Sequence, residues 1–425
     1  MENRYMKDLI NMVKQDAVPA LGCTEPVAVA YAAAASRDYI TGTIDNIYIK
    51  VSKNIYKNGK SVIIPNTDEW GLDLAGALGI LGGDKNDGLM VLRKIDEGTI
   101  EIAHEMLKKE KVKVDYVENV PDVFVNILVN TSKEEIEVEL KNCHTHIETI
   151  KVNGKTVFED KTDIEDKASS DFLKELSFVE IREICETIPL DELKFIEDGI
   201  EMNRNAAEKG LEYGNGMKIG KTLKKLQDEG KICRDAPTQA RILTAASADM
   251  RMGGGDCPIM TSGGSGNQGL GVVLPISVVA EEKDIPKERE IRAVFLAHVI
   301  NKYVKIYTGK LSAMCGCAIA AGIGAGAGIT WLLGGDDAQI QGACQNMLSN
   351  LTGMICDGAK ETCALKLSTS AGEAVIAAYL AMENIVVRSN TGIIGSTIED
   401  TIKNLGILCR DGLAATDSVI IDIID

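Results

Sequence analysis

Aromatic residues are scarce. Tyr, Phe and Trp make up 4% of a 425-residue chain whose apolar share, 45%, is otherwise ordinary. The core must therefore be packed from Ala, Val, Leu, Ile and Met. Positive charge is also short: 46 Lys and Arg face 63 Asp and Glu, a net charge of −17. That balance excludes a nucleic-acid binder, which needs clustered cations for phosphate contacts. No uninterrupted apolar run approaches the roughly 18 residues of a membrane helix. The nearest, 313–333, is dense in Gly and Cys and reads as a tightly packed buried helix. The start, Met1-Glu-Asn-Arg-Tyr-Met-Lys-Asp, lacks the basic and apolar regions of a secretory leader. These absences point to a soluble, cytoplasmic protein with no membrane and no nucleic-acid partner.

What is present is cysteine, 11 in all. In a reducing compartment thiols act as ligands, nucleophiles or small core residues rather than disulfides. Cys315, Cys317, Cys344, Cys356 and Cys363 fall within 311–369, among many Gly and Ala. Their spacing is not Cys-x-x-Cys, which excludes a zinc ribbon. Thiolates from separate segments suit zinc or an iron–sulfur cluster. The alternative is a set of buried structural thiols.

Read in order, 4–16 has helical spacing. In Ala17-Val-Pro-Ala-Leu-Gly-Cys23-Thr-Glu-Pro26, two prolines bracket a rigid loop, and Pro26 opens an Ala/Val helix over 26–37. Cys23 stands just before that helix, where the dipole favours a reactive thiolate; a buried small residue is the alternative. Residues 44–51 and 61–65 read as strands about a turn at 57–60, and 70–110 as helix with glycine breaks. Strands return over 111–129 and 135–152, the last turning at Asn153-Gly154. Together they predict one small antiparallel β unit, with 160–168 as the linker out of it. Cys143-His-Thr-His146 reads as exposed strand, with at most two of its side chains on one face.

Residues 168–229 and 238–252 read as helical. The stretch Gly253–Gly269 then loosens into glycines with Thr261, Ser262, Gly263, Gly264, Ser265, Asn267 and Gln268. Such a loop, feeding a helix at 270–281, offers N–H groups and short polar side chains to an anion. No Gly-Lys-Ser/Thr follows, so it is not a P-loop; a flexible connector is the alternative. His298, on a helix over 286–309, reads as a satisfied core histidine. Helices are expected at 370–384 and 397–407, a polar loop from 388, and a strand at 418–424. The fold class is α+β: a mainly helical domain (1–40 and 166–425) with a small antiparallel β domain (41–165) inserted near the N-terminal third.

Four stretches together resemble the serine dehydratase α-chain superfamily, over essentially the whole length. They are Pro19-Ala-Leu-Gly-Cys-Thr-Glu-Pro26, Met260-Thr-Ser-Gly-Gly-Ser-Gly-Asn-Gln-Gly269, Leu311-Ser-Ala-Met-Cys-Gly-Cys-Ala-Ile-Ala-Ala-Gly and Met354-Ile-Cys-Asp-Gly-Ala-Lys-Glu-Thr-Cys-Ala-Leu-Lys. The likeness is strongest to the single-chain L-cysteine desulfidases, since Cys356 and Cys363 stand closer together than the matching pair in serine dehydratases. The resemblance implies a [4Fe–4S] cluster on Cys315, Cys356 and Cys363, with one iron open to substrate. Cys317 is the nearest rival for the first place, and Cys344 a bystander. It implies β-elimination of L-cysteine, with Cys23 as base, Thr24 and Glu25 positioning the ammonium, and Thr261, Ser262, Gly263, Gly264, Asn267 and Gln268 receiving the carboxylate. The rivals are L-serine dehydratase on the same scaffold and a non-catalytic iron–sulfur or zinc protein. A homo-oligomer stays open, because glycine-rich helices pack tightly without saying between which chains.

Overall fold

A computed structural model describes residues 2–161, 170–309 and 311–424. The chain is α+β, with helices around a six-stranded sheet. Helix α1 (Glu2–Asp16) buries Leu9, Ile10, Met12 and Val13 in a helical core. A two-residue strand β1 (Pro19–Ala20) then leads into α2 (Thr24–Ser36), which is buried almost throughout. The Ala and Val residues of α2 share a second core with the sheet and the helices that connect its strands, separate from the core that holds α1.

That sheet comprises β2 (Ile44–Ser52), β3 (Val112–Val117), β4 (Phe124–Thr131), β5 (Glu135–Lys141), β6 (Ile147–Val152) and β7 (Lys155–Glu159), in the order β3-β2-β4-β5-β6-β7. Alternation sets the faces: Ile136, Val138 and Leu140 point into the core, and the Glu residues between them point out. Four of the five pairings are antiparallel, as expected, but β2 and β3 run parallel. Between those two strands lie α3 (Lys53–Gly59), α4 (Leu72–Gly82) and α5 (Glu97–Lys108), a connection long enough for a parallel crossover. Helix α4 crosses α2 so closely that a Cβ on Gly79 would fall 2.2 Å from the Ala30 carbonyl oxygen.

The remaining helices are α6 (Phe178–Thr187), α7 (Lys194–Tyr213), α8 (Ile219–Asp228), α9 (Ala236–Met252), α10 (Gly266–Glu282), α11 (Lys287–Thr308), α12 (Ala320–Leu332), α13 (Asp337–Leu351), α14 (Cys363–Met382), α15 (Ile398–Ile407) and α16 (Thr416–Ile424). The small-residue run at 320–332 is a buried helix, and its Gly324 lets α11 approach: a Cβ there would sit 2.5 Å from the Ala297 oxygen. Strand β8 (Ile259–Met260) pairs with β1, fastening the N-terminal loop to the polar loop at 261–265. Among the described residues, no helix is long and apolar enough to cross a membrane.

Three local expectations are overturned. Residues 53–59 are helical and 61–65 form no strand beyond one bridge, Ile63 to Trp70. The Ser52 hydroxyl accepts from the Ile55 N–H and caps a helix where Asn58-Gly59 suggested a hairpin. Residues 418–424 belong to α16, which docks on α3 through Lys57–Asp417 and Lys53–Ser418 and buries Ile420 and Ile421. Cys143-His-Thr-His146 is the turn between β5 and β6, entered through a positive φ at Asn142. The expected linker at 160–168 lies, beyond its first two residues, outside the described residues.

Candidate active site

Cys23 is the N-cap of α2, with extended backbone and no side-chain cap hydrogen bond. Its thiol donates instead to Glu25 Oε2, at 2.9 Å. The Thr24 hydroxyl donates to the same oxygen at 3.1 Å, and Asn58 Nδ2 of α3 donates to Glu25 Oε1 at 3.0 Å. Cys23, Thr24, Glu25 and Asn58 are all buried. Burial alone would push the Glu25 carboxyl up, but His144, the Cys23 thiol and Arg251 outweigh it and hold it below the usual carboxylate range. Cys23 moves the other way: burial first, then the Glu25 charge, push its thiol well above the ordinary value. The expected dipole-stabilised thiolate is therefore not the resting form. A helix end contributes a fraction of a unit charge, too little against desolvation and an adjacent carboxylate. At rest the pair is a thiol hydrogen-bonded to a carboxylate.

Most side chains of the polar loop are engaged by the protein. The Thr261 hydroxyl donates to the backbone oxygens of Asp16 and Val18 and accepts from the Val18 N–H, so it fastens the loop to the N-terminal segment. Ser262 Oγ lies 2.8 Å from His298 Nδ1 and accepts from Asn301 Nδ2 at 2.9 Å. Gly263 and Gly264 both take positive φ, 54° and 77°, a turn that glycine makes without strain. Helix α10 starts at Gly266, four residues earlier than its expected start, so Asn267 and Gln268 lie in its first turn. Asn267 Oδ1 accepts from Arg251 Nη1 at 2.8 Å, and Gln268 Oε1 is buried without a partner among the described residues.

His298 is a core residue with a partner, as expected, and that partner is in the loop. Burial lowers its pKa to about 4 from 6.5. A depressed value gives stability that is complete above about pH 6.5 and is lost as pH falls toward 4. Lowering the pH from 7.5 to 4.5 should cost about 2–3 kcal/mol through this group. Urea midpoints across that range test it; His298→Asn should flatten the acid limb.

The cysteine segments meet by backbone pairing. Met314 and Ile355 form an antiparallel bridge, the Cys315 N–H donates to Met354 O at 2.9 Å, and the Cys356 N–H donates to Ala313 O at 2.7 Å. Residues two apart on paired segments share a face, which puts Cys315 and Cys356 on one side of the bridge. Cys363 opens α14 and packs against two clusters, one holding Leu270 and Leu274, on which Cys317 also packs, and one holding Cys23 and Met252. Cys317 hydrogen-bonds to Cys315, which with burial pushes it well above the ordinary thiol value, and its charge bears on Cys356 and Cys363. Burial takes Cys363 to about 12 and raises Cys356 as well. Among the described residues no three Cys, His, Asp or Glu side chains converge closely enough for a single metal ion. A cluster that takes each thiolate on a different iron needs a wider set, and that suits thiols from separate segments. Cys344 lies apart, buried in α13 with its thiol toward the Ile323 carbonyl.

The family model described as "Serine dehydratase alpha chain" matches residues 97–422. The chain belongs to the serine dehydratase α-chain family. Full-length relatives are similar. A UPF0597 protein of Clostridium botulinum (strain Hall) is 57% identical over 416 residues, covering 98% of this chain and 96% of the relative. A UPF0597 protein of Alkaliphilus oremlandii is 42% identical over 422 residues (98% and 97%), and one of Caldanaerobacter subterraneus is 40% identical over 427 (98% of each).

In this serine dehydratase-like chain, several site residues lay beyond the sequence motifs. Lys57 is almost wholly buried; its ammonium donates to the Cys356 carbonyl at 3.2 Å and pairs with Asp417. Asp357, held near 2 by Lys360 and Lys366 against the effect of burial, stiffens the loop between Cys356 and Cys363. Asn58 sat inside a mistaken turn. His144 sat inside a mistaken strand, and the β5–β6 turn instead brings its charge to bear on Glu25. Arg251 carried one legible signal: a cation in the last turn of a helix rich in small residues, and buried there.

Proposed function

We propose that the chain is an L-cysteine desulfidase, eliminating hydrogen sulfide from L-cysteine to leave aminoacrylate, which hydrolyses to pyruvate and ammonia. The observation that carries this reading is the buried Cys23–Glu25 pair, its cysteine in a cluster with Met252 against which Cys363 packs. Cys315, Cys356 and Cys363 would hold a [4Fe–4S] cluster. Bound there, it would supply an iron with an open position, a Lewis acid for the leaving sulfur.

The chain's own residues account for the proton. Glu25 is ionised and already accepts the Cys23 thiol hydrogen bond at 2.9 Å, so it is placed to receive that proton once a substrate ammonium beside the pair stabilises the thiolate. The thiolate formed is a strong base in a site that excludes water, suited to the substrate Cα proton. As that proton leaves, the electron pair of the Cα–H bond closes the Cα–Cβ double bond, and the Cβ–S pair departs with the sulfur as hydrosulfide. Thr24 and Asn58 hold the Glu25 carboxylate in place, and the Gln268 carbonyl is a buried acceptor for the substrate ammonium. Ser262, oriented by His298 and Asn301, keeps the loop fixed.

The family name favours a second reading, L-serine as substrate, with hydroxide as the leaving group. Anaerobically purified protein, assayed first for iron and acid-labile sulfide, separates the two. Sulfide released from L-cysteine at a kcat/KM at least tenfold above that for pyruvate from L-serine is the expected result. The opposite ratio would transfer the assignment to serine.

A further inference from the structure

Arg251 is 2% exposed, one residue before the end of α9. Among the described residues no carboxylate lies within ion-pair distance of it. Its Nη1 donates to Asn267 Oδ1 at 2.8 Å and lies 3.3 Å from the Met252 sulfur, while its Nε is buried without a partner. A guanidinium has five N–H donors in a planar fork, so this one is under-used. Its charge bears on the Glu25 carboxylate without an ion pair to it, and a buried guanidinium with an unfilled donor is costly unless an anion arrives.

Its surroundings indicate where that anion would sit. The guanidinium lies flat against the first residue of α10: a Cβ on Gly266 would come within 2.3 Å of Nε and 2.7 Å of Cζ. Glycine there leaves the space that the arginine fills. The N-cap of α10, Ser265, makes no side-chain cap hydrogen bond, so the first-turn N–H groups of this 17-residue helix lack that partner. Met252, in contact with Nη1, packs in one cluster with Cys23 and Cys363. The nearby Glu25 carboxylate is already taken by Cys23, Thr24 and Asn58.

We propose that the Arg251 guanidinium, seated on the uncapped N-terminus of α10, is the anchor for the α-carboxylate of the amino-acid substrate. This rests on reading the site as one for amino-acid elimination, and it moves the carboxylate from the loop hydroxyls, which the protein itself engages, to the helix start and its arginine. A fork over a helix N-terminus binds a carboxylate in a fixed plane. The Cα proton is thereby held in one orientation toward Cys23, and amines or thiols without a carboxylate are rejected.

L-Alanine and ethylamine differ only in the carboxylate, and neither carries a leaving group. Calorimetric titration of the anaerobically prepared full-length protein with each reads the anchor without turnover. Wild type should bind L-alanine and leave ethylamine unbound. Arg251→Gln should weaken L-alanine by at least about 30-fold, with iron content and circular dichroism unchanged; Arg251→Lys, which keeps the charge but not the fork, should fall between. Wild-type affinity for L-alanine in a folded Arg251→Gln protein would overturn the proposal, as would equal or absent binding of both ligands by wild type. The elimination reading fails separately. If wild type releases neither sulfide from cysteine nor pyruvate from serine, while carboxylate-dependent binding is lost in Arg251→Gln, the anchor stands and that reading falls.

Discussion

Replacing Cys23 by Ala should reduce sulfide release from L-cysteine by about 10³-fold, the range for loss of a positioned general base, while iron content stays at the wild-type level. Cys23→Ser should be nearly as damaging, because a buried hydroxyl is a far weaker acid than a thiol and does not yield its proton to Glu25. The structure adds a companion experiment. Glu25 accepts the thiol's hydrogen bond and raises the thiol's pKa by its charge. Glu25→Gln should therefore lower turnover by about 10²-fold or more, yet shift the pH profile of Cys23 alkylation downward. A merely structural Glu25 would lower activity without moving that profile in this direction. Retained turnover in an iron-replete Cys23→Ala protein would remove Cys23 from the chemistry.

The second large effect concerns the thiols of the 311–369 stretch. Cys356→Ala and Cys363→Ala should each abolish the brown cluster absorption and, with it, activity. The fold should survive both changes. The loop between these residues is held by Asp357 with Lys360 and Lys366 and by Lys57 on the Cys356 carbonyl, none of which needs the thiols. Cys344→Ala is the matched control: its side chain is buried in the helical core with its thiol toward the Ile323 carbonyl and should leave the absorption intact. Cys315→Ala should bleach the protein and Cys317→Ala should not, because Cys315 shares a face of the Met314–Ile355 bridge with Cys356. The reverse outcome would move the first ligand to Cys317, whose charge reaches both Cys356 and Cys363. Full cluster loading in Cys363→Ala would refute the ligand set.

Most helices were legible because their signals are local. Apolar spacing gave α1 and α11, and the density of Gly and Ala gave α12 as a buried helix. The Asn153-Gly154 turn between β6 and β7 was equally plain. What failed depended on tertiary contact. Asn58-Gly59 reads as a hairpin turn, but the Ser52 cap, the burial of Lys57 and the docking of α16 make that stretch helical. The apolar 418–424 run is too short for periodicity to separate strand from helix, and its partner α3 decides it. The parallel pairing of β2 with β3 follows from a long crossover, not from either strand's composition.

The site shows the same division. Cys23, the 261–268 loop and the cysteine segments were legible as motifs, and the structure brings them together through the β1–β8 pairing and the Met314–Ile355 bridge. Their individual duties were not legible. Thr261 spends its hydroxyl on backbone, Ser262 on His298 and Asn301, and Cys23 is a thiol where a helix start alone suggested a thiolate. The loop and Glu25 assignments turn on partners 33 to 245 positions away, such as Asn58 for Glu25 and Asp16 for Thr261, which no local pattern encodes.

The central claim is an elimination that leaves no reduced carbon product, and product stoichiometry tests it most directly. Iron-replete protein mixed anaerobically with L-cysteine should give sulfide, ammonia and pyruvate in equal amounts, with no alanine. Sulfide accompanied by alanine, or no sulfide at all from protein with a full complement of iron, would contradict the account.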